Sequence, residues 1–558
     1  MKHLSLLILA TLFCSQSMMA QWETQWETFK RRPCGTAMML QQNTAETRAI
    51  ATSSNYVKHT GNITIPVILV NFSDVKFTIN NPKAAFDQFF NGDKYDTLQT
   101  DYGNGNQFNH SSVATYFKDM SDSTFLPKFK VYGPVTLSNK QTYYGGKSTN
   151  STSDEKPQQL VVDALAAIAG SVTDDDLKSF SLDGSTIESV YIVYAGLGQN
   201  EGGDSTSVWA NTWTCGAKLG GKTVRWYTMS GELNPYKLTS AGVPGSKGTP
   251  MIDGIGVACH EFSHALGLPD LYPYSNDNAH VNNQEMEYWD LMDGGEYAGG
   301  FTFKGSSYYA TCGFYPTAYT AFEKEQMGWP VDIQTLSSDA SITMTTSTEK
   351  GGTAYNIVNP SNSLEYFMLE CIQQRGWNKY QYGNGLLVYH VNLPSSTIYL
   401  KTDLNDTPNY PGMAVVPADG ACLSSYIDAN KPYYTASLRG DLFPGSGNMN
   451  PDALNVSVLN DVNSKPNFCW YNTDFWTNSS STKQKLTTNK ALKNITYNTS
   501  TGVVTFDYIN DFAAGILPVW NNDAKDNKIY SVDGRYLGTD FNALPHGVYI
   551  VGGHKIAK

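Results

Sequence analysis

The sequence has few charged residues, no excess of basic ones and, after its first twenty residues, no long hydrophobic run. Only 16% of its residues are charged and the net charge is −12, which argues against nucleic acid or anionic lipid as a partner. No later segment is long and apolar enough to span a bilayer. The 558 residues exceed what one hydrophobic core organises, so we expect two or three domains.

Cysteine is scarce as well, and its spacing excludes one class of zinc site. The eight cysteines contain no Cys-x-x-Cys pair, so a structural zinc ribbon is not expected. Cys14 falls in the N-terminal apolar segment, and the seven cysteines that follow are an odd number. At least one thiol therefore has no disulfide partner, and the sequence does not give the pairing of the others.

The N-terminus has the pattern of an export signal. Basic residues precede the apolar run Leu4–Phe13, which is too short to cross a membrane, and small or polar residues lead to Ala20. We expect a signal peptide over residues 1–20 and a secreted or cell-surface protein without a membrane span. Residues 21–60 are polar and irregular and are predicted to be a pro-segment.

The next part of the chain, residues 61–335, alternates between strand and helix patterns. Ile63–Phe72 and Ser189–Gly196 are apolar and rich in β-branched residues, as buried strands are. Pro157–Ala169 begins with proline and has apolar residues at helical spacing. The pattern predicts a mixed α/β domain, and we assign the catalytic chemistry to it below.

Helical periodicity disappears after residue 335. Residues 336–510 contain short alternating strands separated by turn residues, which predicts a β-sandwich. Residues 511–528 are predicted to be a linker. Residues 529–558 contain a few short strands joined by Asp-Gly and Gly-Gly turns, which predicts a small all-β C-terminal module.

The segment His260–Asp270 carries the chemistry of this chain. Two histidines four residues apart lie on one face of a helix, with Cβ atoms roughly 5–6 Å apart, so both imidazoles can reach one cation. Glu261 is placed to take a proton from a metal-activated water. Gly267 can end the helix with a positive φ, which would let Asp270 supply a third ligand. The spacing predicts a zinc hydrolase with ligands His260, His264 and Asp270.

The same short motif also occurs by chance on ordinary solvated helices. Here the preceding run Met251–Cys259 is apolar and small, as in a helix that enters a core. Two buried histidines and a buried glutamate are costly unless something satisfies them, and a metal ion would do so. The surroundings therefore favour the metal site.

With the downstream stretch Tyr288–Tyr297, in which Met292 sits in a glycine-containing turn, the motif resembles the metzincin metallopeptidases. The resemblance implies that Met292 forms a hydrophobic floor beneath the ligands. Over residues 60–510 the chain is similar to secreted bacterial metallopeptidases of the immune inhibitor A type, and the matching segments include Ser112–Ser121, Val208–Trp213, Glu365–Glu370 and Gly440–Gly445. This resemblance implies a multidomain protein with an α/β metzincin-like catalytic domain. It also implies that the protein is a secreted zinc endopeptidase, which hydrolyses protein substrates with Glu261 as general base.

Two further roles follow from this resemblance, and each has an alternative. A tyrosine near Met292 would stabilise the oxyanion of the reaction, and both Tyr297 and Tyr288 are candidates. Cys34, in Arg-Pro-Cys-Gly, is similar to the cysteine-switch segment of some metzincin pro-regions, so its thiolate would be a latency ligand of a zymogen. A disulfide bond is the other interpretation of Cys34.

Three more expectations concern partners, cofactors and rival functions. The C-terminal module, through Ile529–Leu537 and Leu544–Gly553, resembles the sorting domains of the type IX secretion pathway, which implies the export machinery as a partner. Asp174–Asp176 is a candidate Ca²⁺ site, with a solvated helix cap as the alternative. The competing function is a secreted binding or adhesion protein on a metallopeptidase scaffold.

Overall fold

The computed structural model of the chain describes most of the sequence after residue 55. The described residues are 56–95, 109–146, 154–238, 244–245, 249–273, 285–298, 300–303, 306–309, 313–347, 350–396, 398, 404–407, 409–420, 438–445, 456–461, 468–471, 483–512, 528–532, 535–545, 547–551 and 554–557. The predicted signal peptide, Cys34 and nearly all of the predicted pro-segment and linker lie outside them. The chain divides into two compact units, residues 1–510 and 511–558.

Among the described residues, the α-helices all lie in the first unit. They are α1 (Pro82–Asn91), α2 (Val113–Met120), α3 (Gln141–Gly145), α4 (Pro157–Ile168), α5 (Asp174–Ser179), α6 (Ile255–Leu266) and α7 (Ala321–Gln326). In the described part of the chain, no helix is long and apolar enough to cross a membrane.

The strands of the first unit fall into an N-terminal and a C-terminal group. The N-terminal strands are β1 (Gly61–Asn71), β2 (Phe125–Thr136), β3 (Thr186–Leu197), β4 (Asn211–Thr214), β5 (Lys218–Leu219), β6 (Lys222–Leu238), β7 (Pro244–Gly245), β8 (Thr249–Ile252), β9 (Gly300–Phe303) and β10 (Ser306–Tyr309). The C-terminal strands are β11 (Asp332–Thr335), β12 (Ala340–Met344), β13 (Thr353–Asn359), β14 (Asn362–Ile372), β15 (Gly385–Asn392), β16 (Met413–Val415), β17 (Leu459–Asn460), β18 (Cys469–Tyr471), β19 (Lys485–Thr487), β20 (Ala491–Asn498) and β21 (Val503–Ile509).

A mixed sheet organises the N-terminal half of this unit. Its main path runs β2-β1-β3-β6-β4, with β1 parallel to both β2 and β3, β3 parallel to β6, and β4 antiparallel to β6. Because β1 and β3 run parallel, their connection must cross over, and it includes α4. The predicted strand–helix–strand unit is confirmed.

Helix α6, which carries the histidine motif, is buried along its whole length. Its aromatic residue Phe262 meets Phe117 of α2 with ring centroids 5.3 Å apart, and Phe129 of β2 at 5.8 Å, both edge to face. These contacts fix the helix against the sheet. The helix ends at Gly267, whose φ of 109° is accessible to glycine at no steric cost.

Two sheets build the C-terminal half of the unit and share one hydrophobic cluster. The first has the order β11-β13-β14-β15-β16 and the second β12-β21-β20-β17. Phe367 and Val388 of the first sheet lie in the same cluster as Leu492, Val504 and Phe506 of the second. The short strands predicted after residue 335 are present, and they include β12, β14 and β15.

The second unit contains a small antiparallel sheet. It comprises β22 (Ile529–Ser531), β23 (Tyr536–Gly538), β24 (Val548–Val551) and β25 (His554–Ala557), in the order β23-β22-β24-β25. Short strands are present in this segment, as the sequence predicts.

Candidate metal centre

Helix α6 and the loop after it bring three potential ligands together. The Nε2 atoms of His260 and His264 lie 3.1 Å and 3.3 Å from Oδ1 of Asp270. One ligand atom from each residue falls within 4.8 Å of the others, and all three residues are buried. Among the residues that the structure describes, no other trio of histidine, cysteine or carboxylate side chains has this geometry. The three predicted ligands therefore do converge.

The outward nitrogen of each imidazole is held by a backbone carbonyl. Nδ1 of His260 lies 3.0 Å from the carbonyl oxygen of Leu291, and Nδ1 of His264 lies 2.7 Å from that of Leu268. Since a carbonyl only accepts hydrogen bonds, each Nδ1 must donate, which leaves Nε2, on the side of Asp270, as the atom of each ring that can bind a metal ion. Two imidazoles and one carboxylate form a donor set that zinc accepts in catalytic sites, so these residues fit that metal.

The turn after α6 carries Asp270 to the histidines. The backbone N–H of Gly267 donates to the carbonyls of His264 and Ser263, which ends the helix and reverses the chain. Burial alone would raise the pKa of Asp270, but the facing imidazoles of His264 and His260 outweigh it and hold the carboxyl pKa well below its usual range. The ionised carboxylate is the form that binds a metal ion.

Glu261 and Met292 both lie in the interior beside these ligands. Glu261 follows His260 on α6, is 1% exposed, and its backbone carbonyl accepts a hydrogen bond of 2.5 Å from Oγ1 of Thr212. Met292 is fully buried, and its carbonyl accepts a hydrogen bond from the N–H of Leu271, next to Asp270. The methionine turn is therefore tied both to His260, through Leu291, and to the third ligand.

A further carboxylate, which was not among the predicted site residues, lies at this centre. Oε2 of Glu296 lies 3.8 Å from Nδ1 of His260. Burial, with added repulsion from Glu261 and Asp270, raises the pKa of Glu296 to about 8 despite the attraction of His260. The one sequence feature that pointed to Glu296 is its position in the glycine-containing turn beside Met292. Its burial could not be predicted from the sequence.

The two candidate oxyanion residues differ in their surroundings. Tyr288 is fully buried, with its ring 5.3 Å from that of Tyr382. Tyr297 is partly exposed and packs against Trp209 and Val257. Burial and the nearby Glu296 raise the pKa of Tyr297 well above its usual value, so its hydroxyl remains a hydrogen-bond donor. Of the two side chains, only that of Tyr297 is partly exposed to solvent.

The aspartate run at 174–176 forms the start of a helix. Oγ1 of Thr173 accepts a hydrogen bond of 3.2 Å from the N–H of Asp176, and Oδ2 of Asp176 accepts one of 3.1 Å from the N–H of Thr173. Asp176 also pairs with Lys130, while Asp175 pairs with Lys178. This is a capping box, and the structure gives no support for the calcium site.

A buried group of two histidines and one carboxylate, carried by a helix that packs against a mixed sheet and by the loop after that helix, is a donor set found in metal-dependent hydrolases. Residues 54–330 match the family model described as the immune inhibitor A peptidase M6 catalytic domain. The segment that matches thus includes the whole sheet and all three candidate ligands.

Two curated relatives are similar to the same part of the chain. Immune inhibitor A of Bacillus thuringiensis subsp. alesti is 26% identical over 266 residues, which is 42% of this chain and 36% of that protein. Pre-pro-metalloprotease PrtV of Vibrio cholerae serotype O1 is 24% identical over 292 residues, or 46% of this chain and 29% of that protein. The matches span about a third of the length of these relatives. They support a metalloprotease-type catalytic domain in this chain.

Proposed function

We propose that the protein is a secreted zinc-dependent endopeptidase that hydrolyses protein substrates. The observation that carries the proposal is the convergence of His260, His264 and Asp270 with both Nδ1 atoms held by carbonyls. The match of residues 54–330 to the M6 catalytic domain supports it. The binding or adhesion alternative gains nothing from this geometry, because folding alone does not require three converging, ionisable and buried side chains.

His260, His264 and Asp270 would hold the metal, and Glu261 would move the proton. Zinc bound there would lower the pKa of a coordinated water and polarise the peptide carbonyl. Glu261 accepts the proton of the attacking water and passes it to the leaving amine. The hydroxyl of Tyr297 donates a hydrogen bond to the oxygen that gains negative charge. Met292 closes the floor of the site.

The proposal extends to the segments around the catalytic domain. The two sheets of residues 336–510 form a β-sandwich, an arrangement supported by their shared hydrophobic cluster. The proposal also includes export directed by the signal peptide, latency through Cys34, and type IX sorting through residues 529–558. Export is inferred from the pattern of residues 1–20, and the other two are inferred from sequence resemblance.

The deciding experiment compares the wild-type protein with the Glu261→Ala variant, both beginning at residue 56. The rate of casein cleavage and the metal content are measured for each. We expect about one zinc per chain in both, and a loss of roughly 10²–10⁴-fold in cleavage rate in the variant only. Glu188→Ala is the matched control, because Glu188 is also a buried glutamate but pairs with Arg225 on the sheet. Absence of zinc from the wild type, or equal cleavage by Glu261→Ala, would contradict the proposal.

A further inference from the structure

The segment between residues 285 and 297 touches the metal centre on one side. Its Leu291 carbonyl accepts the hydrogen bond from Nδ1 of His260, and its Met292 carbonyl accepts the one from Leu271. The orientation of the first histidine, and the course of the chain that leads away from Asp270, therefore depend on where this segment lies. We refer to residues 285–297 as the site turn.

The other side of the site turn is held by the C-terminal, β-rich half of the unit. The indole Nε1 of Trp289 donates to Oδ2 of Asp441 over 2.8 Å, and Nε2 of Gln381 donates to the carbonyl of Tyr288 over 2.8 Å. The backbone N–H of Val415 donates to the carbonyl of Glu285 over 3.1 Å. Three separate segments, all beyond residue 335, thus contact one short stretch of chain.

The contact between Trp289 and Asp441 is the most constrained of the three. Trp289 is 2% exposed and Asp441 is 3% exposed, so water does not replace either partner. A buried carboxylate that loses its donor keeps its full desolvation cost, which makes this hydrogen bond expensive to leave unmade. Trp289 directly precedes Asp290, whose Oδ1 accepts a hydrogen bond of 2.8 Å from the N–H of Met292. Trp289, the partner of Asp441, is only two residues from Leu291, whose carbonyl holds His260. A displacement of Asp441 would therefore shift that carbonyl.

We propose that Asp441 and Gln381 are positioning residues of the metal centre. In this proposal the β-rich half of the unit is an obligatory part of the catalytic apparatus and not an independent substrate-binding module. The proposal rests on the zinc peptidase function proposed above and deepens it. It also gives a role to the segment Gly440–Gly445, which carried the sequence resemblance although it lies far from the histidine motif.

The alternative is that these contacts only stabilise the fold. A purely structural contact would lower the melting temperature and leave each folded, zinc-loaded molecule as active as the wild type. A positioning contact would change zinc retention and turnover in molecules that are still folded, since outer partners of metal ligands orient the ligands themselves. The two roles therefore predict different measurements.

The test uses Trp289→Phe, Asp441→Leu and Asp441→Asn in the otherwise unchanged protein. The first two remove the hydrogen bond, and Asp441→Asn keeps an oxygen that can accept it. The control is Val388→Ala, which opens a cavity in the β-rich core without touching the site turn. All are measured for thermal unfolding, for the rate at which a chelator removes zinc, and for kcat and KM per zinc-loaded molecule.

We expect Trp289→Phe and Asp441→Leu to lose zinc roughly 10-fold faster and to show a kcat roughly 10-fold lower, with KM little changed. Asp441→Asn should restore most of both values, and Val388→Ala should only lower the melting temperature. If Trp289→Phe retains zinc and turns over like the control, the positioning role is wrong. If Asp441→Leu does not fold, Trp289→Phe alone tests whether this contact positions the metal centre. A wild-type protein that binds no zinc would instead overturn the proposed function, and this inference with it.

Discussion

The imidazole Nδ1 of His260 donates a hydrogen bond to the carbonyl oxygen of Leu291, 31 residues further along the chain, over 3.0 Å. This bond fixes which nitrogen of the ring faces Asp270. The same bond joins helix α6 to the site turn, so the two form one structural element of the site. The orientation of this candidate ligand therefore depends on a residue outside its own helix.

Substitution of a ligand should abolish metal binding without unfolding the chain. We expect His260→Ala to lower zinc affinity by at least about 100-fold, because two donors hold the ion far less well than three. Metal content after dialysis against a weak chelator measures this. His390→Gln is the control, since His390 is also buried but pairs with Glu365 in the β-rich half, 3.0 Å away. Equal zinc loss in both variants would contradict the ligand assignment.

Helix α6 should not tolerate alanine at Gly256. Glycine to alanine in a helix interior is normally stabilising by about 1 kcal/mol. A Cβ atom at Gly256 would lie 1.7 Å from the carbonyl oxygen of Glu296, so the site turn must move away. We expect a loss of about 1–3 kcal/mol in the free energy of unfolding, measured with urea.

Gly170→Ala is the matched control for that experiment, because a Cβ atom there meets nothing within 4 Å. A chain that becomes more stable with Gly256→Ala would show that the close approach to Glu296 is not real.

Two buried carboxyls, one in the site turn and one in contact with it, should make stability fall as pH rises. Burial raises the pKa of Asp290 to about 6, and burial together with Asp290 raises the pKa of Glu323 well above its usual value. In the unfolded chain these groups lose their protons near pH 4. Between roughly pH 4 and the folded-state pKa values the folded protein binds more protons than the unfolded chain, so the stability that these two groups contribute is greatest near pH 4 and is lost as pH rises through the folded-state values.

Glu323→Gln should therefore flatten the fall of melting temperature between about pH 5 and pH 8, since the amide keeps the shape and does not ionise. Asp175→Asn is the control, because that carboxylate is 91% exposed. A slope that is unchanged by Glu323→Gln would refute the assignment.

The residues just before β1 should contribute to the stability of α6. Nε2 of His59 lies 2.6 Å from the carbonyl of Leu266, and the N–H of Val57 donates to the carbonyl of Ala265. These carbonyls end the helix and have no partner within it. We expect His59→Ala to cost about 1–3 kcal/mol in the free energy of unfolding, whereas the exposed Lys58→Ala should cost little.

The contacts of Val57 and His59 also bear on the predicted end of the pro-segment at residue 60. A chain that begins at residue 56 should unfold at a higher temperature than one that begins at Gly61. If the two chains melt together, this segment does not support the helix.

The sequence alone predicted much of the fold and the three ligands, because both depend on local patterns. Strands β1 and β3 and helix α4 were predicted from runs of apolar residues with the period of each structure. His260 and His264 share a face through helix geometry, and Gly267 ends the helix because it has no Cβ. Each of these follows from residues a few positions apart.

The tertiary structure alone decided which distant groups complete the site. The carbonyl of Leu291, the carboxylate of Glu296 and the contact of Asp441 with Trp289 have no local signature. Their proximity depends on how the two halves of the unit pack, and packing is a sum of many weak contacts that no short pattern records. The sequence determined the ligands and their spacing; the packing determined which groups hold those ligands in place.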